Sequence, residues 1–213
     1  MSLGSHQRTI GASQVHITPQ WIIDALGPFD LDPCAATERP WECAKRSIVE
    51  VEDGLSQPWA GRVWLNPPFH RYQVHHWIER LATHGQGTAL LHARTETAWF
   101  RPVWEHAHAI LFMAQRLTFH RPDGSLCTTA AGEPANSGAP PCLVAFGGYD
   151  ARRLRESGIA GAFVTEWDVL GRPGGAGRPP YTVLAASSRK ASVNPEHVLV
   201  GSALTATTPL CHV

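Results

Sequence analysis

The chain has 213 residues, 43% of them hydrophobic, which is enough apolar material for the core of one large domain and argues against global disorder. Lys plus Arg and Asp plus Glu stand at 18 each, a formal net charge of zero, which weighs mildly against stable non-specific nucleic-acid binding but leaves room for a local basic face. Five cysteines, an odd count with no C-x-x-C pair, argue against a disulfide framework or a zinc ribbon and fit a reducing cytosol. No apolar stretch approaches the roughly 20 residues of a membrane span, and Met1–Ala12 lacks the apolar core of a signal peptide. A soluble, cytoplasmic protein with a tag-like or disordered start over 1–16 is the expectation.

Thr18 suits a helix cap and Pro19 a first turn, ahead of Trp21, Ile22, Ala25 and Leu26 at helical spacing. Gly27-Pro28 stops that helix. Phe29–Asp32 reads as a short strand ended by Pro33, and Thr37–Leu55 as loop with a short helix. Val63–Leu65 is a buried strand leading into Asn66-Pro67-Pro68-Phe69. Val74, Trp77, Ile78 and Leu81 then mark an amphipathic helix over 72–83. Thr88–His92 is a continuous apolar run of the sort that a strand covered on both faces needs. A helix over 97–107, with Pro102 in its first turns, precedes a strand at Ala109–Met113. Arg116–His120 enters a hairpin, Gly124–Pro141 reads as a long loop, and Cys142–Phe146 is the last clear strand. The alternation predicts an α/β sheet with helices on both faces over 17–150. Residues 151–213 read as a C-terminal extension with a Gly/Pro-rich connector at 171–180.

The segment Asn66–Phe69 carries the most chemistry. Neither proline has an N–H to give, and each fixes its φ, so the chain leaving the strand is stiff, with free carbonyls. The Asn66 side-chain oxygen and the Pro67 carbonyl together suit the two hydrogens of an exocyclic amino group, with Phe69 stacking on the ring that bears it. Ligands of open α/β sheets bind at the carboxyl ends of the strands. Three groups fall at such ends: Asp32-Pro33-Cys34-Ala35, Asn66–Phe69 and Ala93-Arg94-Thr95-Glu96. Arg94 and Glu96 fit either a mutual ion pair or a role in the site, and Arg116, His120 and Arg121 surround the expected hairpin. His75-His76 and His106-x-His108 do not share a helix face at these spacings, and no HExxH or cysteine cluster supports them, so they read as surface or packing residues.

With Thr18-Pro19-Gln20-Trp21, Leu31–Ala35, Asp53-Gly54-Leu55, Trp64–Phe69, Ala93–Thr97 and Arg116–Phe119 in this order, the chain resembles the phage-type DNA N6-adenine methyltransferases. These are a branch of the S-adenosylmethionine-dependent amino-methyltransferases. The resemblance covers 17–146 and implies a Rossmann-like methyltransferase fold, mostly parallel, in a phage or prophage-like enzyme of a bacterial host. It also implies a duplex DNA substrate whose adenine is flipped out, and direct in-line methyl transfer to N6 without metal. Asn66, Pro67, Pro68 and Phe69 would be catalytic. Thr18, Pro19, Asp32, Cys34, Ala35 and Asp53 would hold S-adenosylmethionine, with Asp32 near its amino end and Asp53 on its adenosine. Arg94, Arg116, His120 and Arg121 would contact DNA. The Gly-rich turn of the wider class is replaced by Pro33-Cys34-Ala35-Ala36. The same amino-group site also suits RNA, cytosine N4 or a glutamine amide, and a degenerate fold acting as a DNA-binding module is the reading from another class.

Overall fold

The computed structural model describes residues 16–69 and 73–169; the start of the chain and the connector at 171–180 lie outside the described residues. Helix α1 (Gln20–Leu26) leads into β1 (Leu31–Ala35), followed by β2 (Arg46–Val49), a 3₁₀ turn (Glu50–Glu52) and β3 (Val63–Leu65). Next come α2 (Val74–His84), β4 (Gly87–His92), a 3₁₀ turn (Ala98–Phe100), α3 (Arg101–His106) and β5 (Ala109–Met113). The described chain continues through β6 (Pro141–Phe146), α4 (Gly148–Glu156) and β7 (Gly161–Val164).

The strands form one sheet in the order β2-β1-β3-β4-β6-β5-β7. β1 is parallel to β2 and β3, and β3 to β4, whereas β6 is antiparallel to both β4 and β5, and β7 to β5. The first five strands in the chain therefore run one way and the last two run back. The sheet is mixed rather than mostly parallel at the level of neighbours, and the α/β class with helices on both faces holds. Alternation along each strand divides the core in two. Leu31, Val63, Leu65, Ala89, Leu91, Ile110 and Val144 face α2 and α3, while Trp64, Leu90, Leu111, Leu143 and Ala145 face α1 and α4. On α2 the buried set is Val74, Trp77, Ile78 and Leu81, the predicted stripe, each burial contributing about 1.5–3 kcal/mol.

Several local expectations change. Helix α1 starts at Gln20 behind an N-cap at Pro19, with no side-chain cap bond, so Thr18 does not cap it. β1 continues through Pro33 instead of ending there. Its register against β2 shifts between Asp32 and Ala35, and that irregularity accommodates a residue without an N–H. β2 lies where a loop with a short helix was expected. Residues 117–137 are folded rather than a plain loop: isolated bridges join Thr118 to Asn136, His120 to Leu126 and Thr128 to Pro134. Past residue 150, α4 continues and β7 adds an edge strand, so Cys142–Phe146 is not the last strand.

At the amino edge of the sheet, Arg62 and Asp150 form a buried ion pair, Nε to Oδ1 at 2.8 Å. Arg62 also donates to the carbonyls of Leu26 (2.7 Å) and Pro28 (2.9 Å) and lies over the Phe29 ring, while Thr88 donates to Asp150. This network pins the end of α1 and the start of α4 beneath β3, the strand that presents Asn66.

Candidate active site

Because β1 to β5 run in one direction, the segments that follow them meet at one edge of the sheet. The chain passes from β1 outward to β2, then returns to β3 on the other flank, so the strand order reverses between β1 and β3. Open α/β sheets bind ligands at such a reversal, outside the carboxyl ends of the strands. The segments that flank it here are Asp32–Ala35 and Asn66–Phe69. The Cys34 thiol joins them by donating to the Asn66 backbone carbonyl at 3.2 Å. Burial, with Asp32 close by, raises the Cys34 pKa well above the usual thiol value, so it is a protonated donor and not a nucleophile.

The Asn66 carboxamide is held at its nitrogen. Nδ2 donates to the carbonyl of His16 and to Thr18 Oγ1, each at 3.2 Å. A backbone carbonyl only accepts, so its partner must be the NH2 end, and the orientation of the amide is fixed by chemistry. Oδ1 consequently points away from that anchor, available as an acceptor. Thr18 is buried, 3% exposed, and its own carbonyl accepts from Trp41 Nε1 at 3.0 Å. Pro19 is buried beside it.

Asp32 is 6% exposed, and its Oδ1 accepts from the Cys34 amide at 3.1 Å. Among the described residues no cation forms an ion pair with it. Burial pushes its pKa up to about 7, against the lowering effect of the Cys34 amide. The charge of Arg39 acts on it only from beyond ion-pair distance, and weighs less than burial.

Phe69 stacks on His92 at the end of β4, with ring centroids 4.1 Å apart and planes 11° apart. Burial first, then the nearby charges of Arg94, His16 and Arg116, lower the His92 pKa to about 4, so the imidazole is neutral at neutral pH.

Asp53 adopts a left-handed conformation (φ 51°) after the 3₁₀ turn, is exposed, and accepts from the Leu55 amide at 3.3 Å. Gly54 beside it packs so tightly that a Cβ there would overlap the Pro33 carbonyl. The close glycine approach to the end of β1 therefore comes from the loop after β2. Arg94 and Glu96 do not pair with each other, and the Arg94 carbonyl receives the Thr97 amide and hydroxyl. Arg116 is exposed and donates to the Ser137 carbonyl at 2.8 Å, while Arg121 donates to Thr128 Oγ1 at 2.9 Å. His120 Nδ1 lies 2.9 Å from the Gly124 carbonyl, and its ring meets the Trp41 edge at 5.0 Å. All three tie the 116–137 hairpins together.

Residues 11–149 match the DNA N-6-adenine-methyltransferase (Dam) family. The chain belongs to that family. No curated protein matches the chain. As a Dam-family protein it is an adenine-specific DNA methyltransferase, and its α/β sheet is consistent with a Rossmann-like methyltransferase fold. Among the described residues no helix is long and apolar enough to cross a membrane, and the four described cysteines are free.

His16, Trp41 and His92 also stand at this site, beyond the residues that the motifs indicate. His92 had one signal, its place at the end of a buried strand run; His16 and Trp41 had none. The adjacent histidines also differ from expectation. The His75 and His76 rings lie 3.7 Å apart and, with Glu79, bring three ligand atoms within 4.8 Å of one another on the outer surface of α2. They sit in the first turn of the helix, where rotamer choice swings neighbouring rings together despite the angle between their Cβ directions.

Proposed function

We propose that this Dam-family enzyme uses S-adenosylmethionine to methylate N6 of an adenine flipped out of double-stranded DNA. The observation that carries the reading is the meeting of both motifs at the strand-order reversal, with an oriented amide acceptor just after β3 and, in β1, a buried carboxyl that no ion pair holds. When bound, S-adenosylmethionine would supply an electrophilic methyl whose C–S bond breaks as the bond to N6 forms in line, releasing a neutral thioether while the surplus N6 proton passes to solvent. Asp32 fits the cofactor because a buried anion without an ion-pair partner matches its ammonium. Pro19 lines the methionine side, Cys34 and Ala35 the floor, and Asp53 with Gly54 the adenosine side.

On the substrate side, Asn66 Oδ1 and the Pro67 carbonyl accept the two amino hydrogens of adenine. Their pull leaves lone-pair density on N6 and fixes its direction, which is catalysis by positioning and electrostatics. Pro68 keeps the chain stiff between acceptor and platform. Phe69, backed by the neutral His92, stacks on the base, a contact worth about 1–3 kcal/mol. Arg94, Arg116, His120 and Arg121 surround this opening and supply phosphate contacts. The compartment that fits this substrate is the cytoplasm of a bacterial host.

Incubating the protein with S-adenosylmethionine and unmethylated plasmid DNA, then digesting the DNA and analysing the nucleosides, tests the proposal. N6-methyladenine is the expected product. N4-methylcytosine, or methylation of RNA or a glutamine amide instead, would reassign the substrate. No binding of S-adenosylmethionine by calorimetry would leave the fold as a DNA-binding module.

A further inference from the structure

Asn66 can accept an amino hydrogen only if its oxygen, and not its nitrogen, faces the substrate. The two ends of a carboxamide are nearly isosteric, so free rotation would present NH2 to NH2 half the time, a pairing of donors that repels instead of binding. Something must hold the amide in one sense. We propose that His16–Thr18 is the positioning clamp of the methylation site, with the His16 carbonyl and Thr18 Oγ1 holding Asn66 Nδ2 so that Oδ1 faces the substrate. The inference rests on the reading of Asn66 as the acceptor and assigns Thr18, through its hydroxyl, to Asn66 rather than to the cofactor.

The geometry supports the clamp at each end. Both Nδ2 contacts are 3.2 Å; the main-chain carbonyl, which only accepts, sets the sense of the amide, and the Thr18 hydroxyl holds it against rotation. The Thr18 hydroxyl has no duty in α1, whose N-cap makes no side-chain bond. The segment is itself anchored on two sides. Ile17 exchanges backbone bonds with His120, 2.9 Å from its amide and 3.0 Å to its carbonyl, and Trp41 Nε1 holds the Thr18 carbonyl at 3.0 Å. The hairpin that carries His120 and Arg121 and the acceptor on β3 are thus joined by one hydrogen-bonded chain only three residues long.

Two substitutions and two measurements test this. Thr18→Val keeps the volume and removes the acceptor; Thr18→Ser keeps the acceptor. T18V should lower kcat by about tenfold or more, the size of one lost oriented hydrogen bond, with the KM for DNA and the Kd for S-adenosylmethionine unchanged. T18S should restore kcat. A T18V enzyme that loses cofactor affinity but keeps kcat at saturation would make Thr18 a cofactor contact and overturn the clamp, as would equal losses in T18S and T18V. Independently of activity, the Asn66 side-chain NH2 should exchange slowly with solvent by NMR in the wild type and T18S and rapidly in T18V. Fast exchange in the wild type would overturn the clamp. A protected amide in a protein that forms no methyladenine would leave the clamp standing and remove the catalytic reading instead.

Discussion

Asp32→Asn changes one oxygen to nitrogen and should separate what this residue does for ligand binding from what it does to the fold. Burial raises the folded-state pKa to about 7, from an ordinary 3.8. Between those values the native state keeps a proton that the unfolded chain has lost, so this group's contribution is fully favourable below the lower value. It falls as pH rises through the window, by about 1.4 kcal/mol per pH unit, and is lost above the upper one. From about pH 5 to about pH 8 the wild type should therefore lose roughly 2–3 kcal/mol of stability relative to D32N, which carries no such proton. Urea unfolding of both proteins at the two pH values, without ligand, reads the difference directly, because every other group titrates alike in both. Calorimetry completes the test: wild-type affinity for S-adenosylmethionine should strengthen as pH rises through about 7, while D32N should bind weakly without that dependence. A stability difference that does not vary with pH would refute the reasoning, since Asp32 would then be ionised in the free protein across the range.

Three further outcomes follow from the same structure. Arg62→Met leaves Asp150 buried without its partner and should cost about 3–5 kcal/mol, a fall of roughly 10 °C in Tm by calorimetry; an unchanged Tm would show that the ion pair is not needed. Phe69→Ala should lower kcat/KM for DNA by the equivalent of about 1–3 kcal/mol without changing cofactor affinity. It should also let the His92 pKa rise from its depressed position toward the ordinary imidazole value, as burial is relieved, and NMR titration of the ring checks that shift. Arg116→Ala should weaken DNA binding alike on all sequences and make the slope of log K against log salt shallower by about 1, as loss of one phosphate contact requires; an unaltered slope would place Arg116 off the DNA.

The parts of the fold that could be read from the chain are those whose local pattern is also the tertiary one. Val63–Leu65, Gly87–His92, Ala109–Met113 and Pro141–Phe146 are nearly continuous buried runs, and Val74, Trp77, Ile78 and Leu81 repeat at helical spacing. Elements at the margins gave weak signals. In β2 only Ile48 is buried, α4 buries a single apolar residue, Leu154, and β7 begins with the exposed Gly161 and Ala162. Pro33 pointed to a strand end because proline cannot serve a regular ladder; the register shift in β1 makes room for it. For the site, Asn66–Phe69 follows the end of β3, as its spacing implied, whereas Asp32 lies inside β1 and not at its end. The contacts that orient them do not show in any local pattern. Asn66 meets Thr18 across 48 positions and Arg62 meets Asp150 across 88, pairings that only the folded sheet creates.

The Asn66 carboxamide oxygen is the acceptor on which the proposed methyl transfer depends. Asn66→Ala tests it most directly, by measuring methyl transfer to plasmid DNA at saturating S-adenosylmethionine alongside cofactor affinity. Its kcat should fall at least about 10²-fold, as for removal of one oriented transition-state contact, with cofactor affinity unchanged. Methylation by Asn66→Ala within a few-fold of the wild-type rate would contradict it.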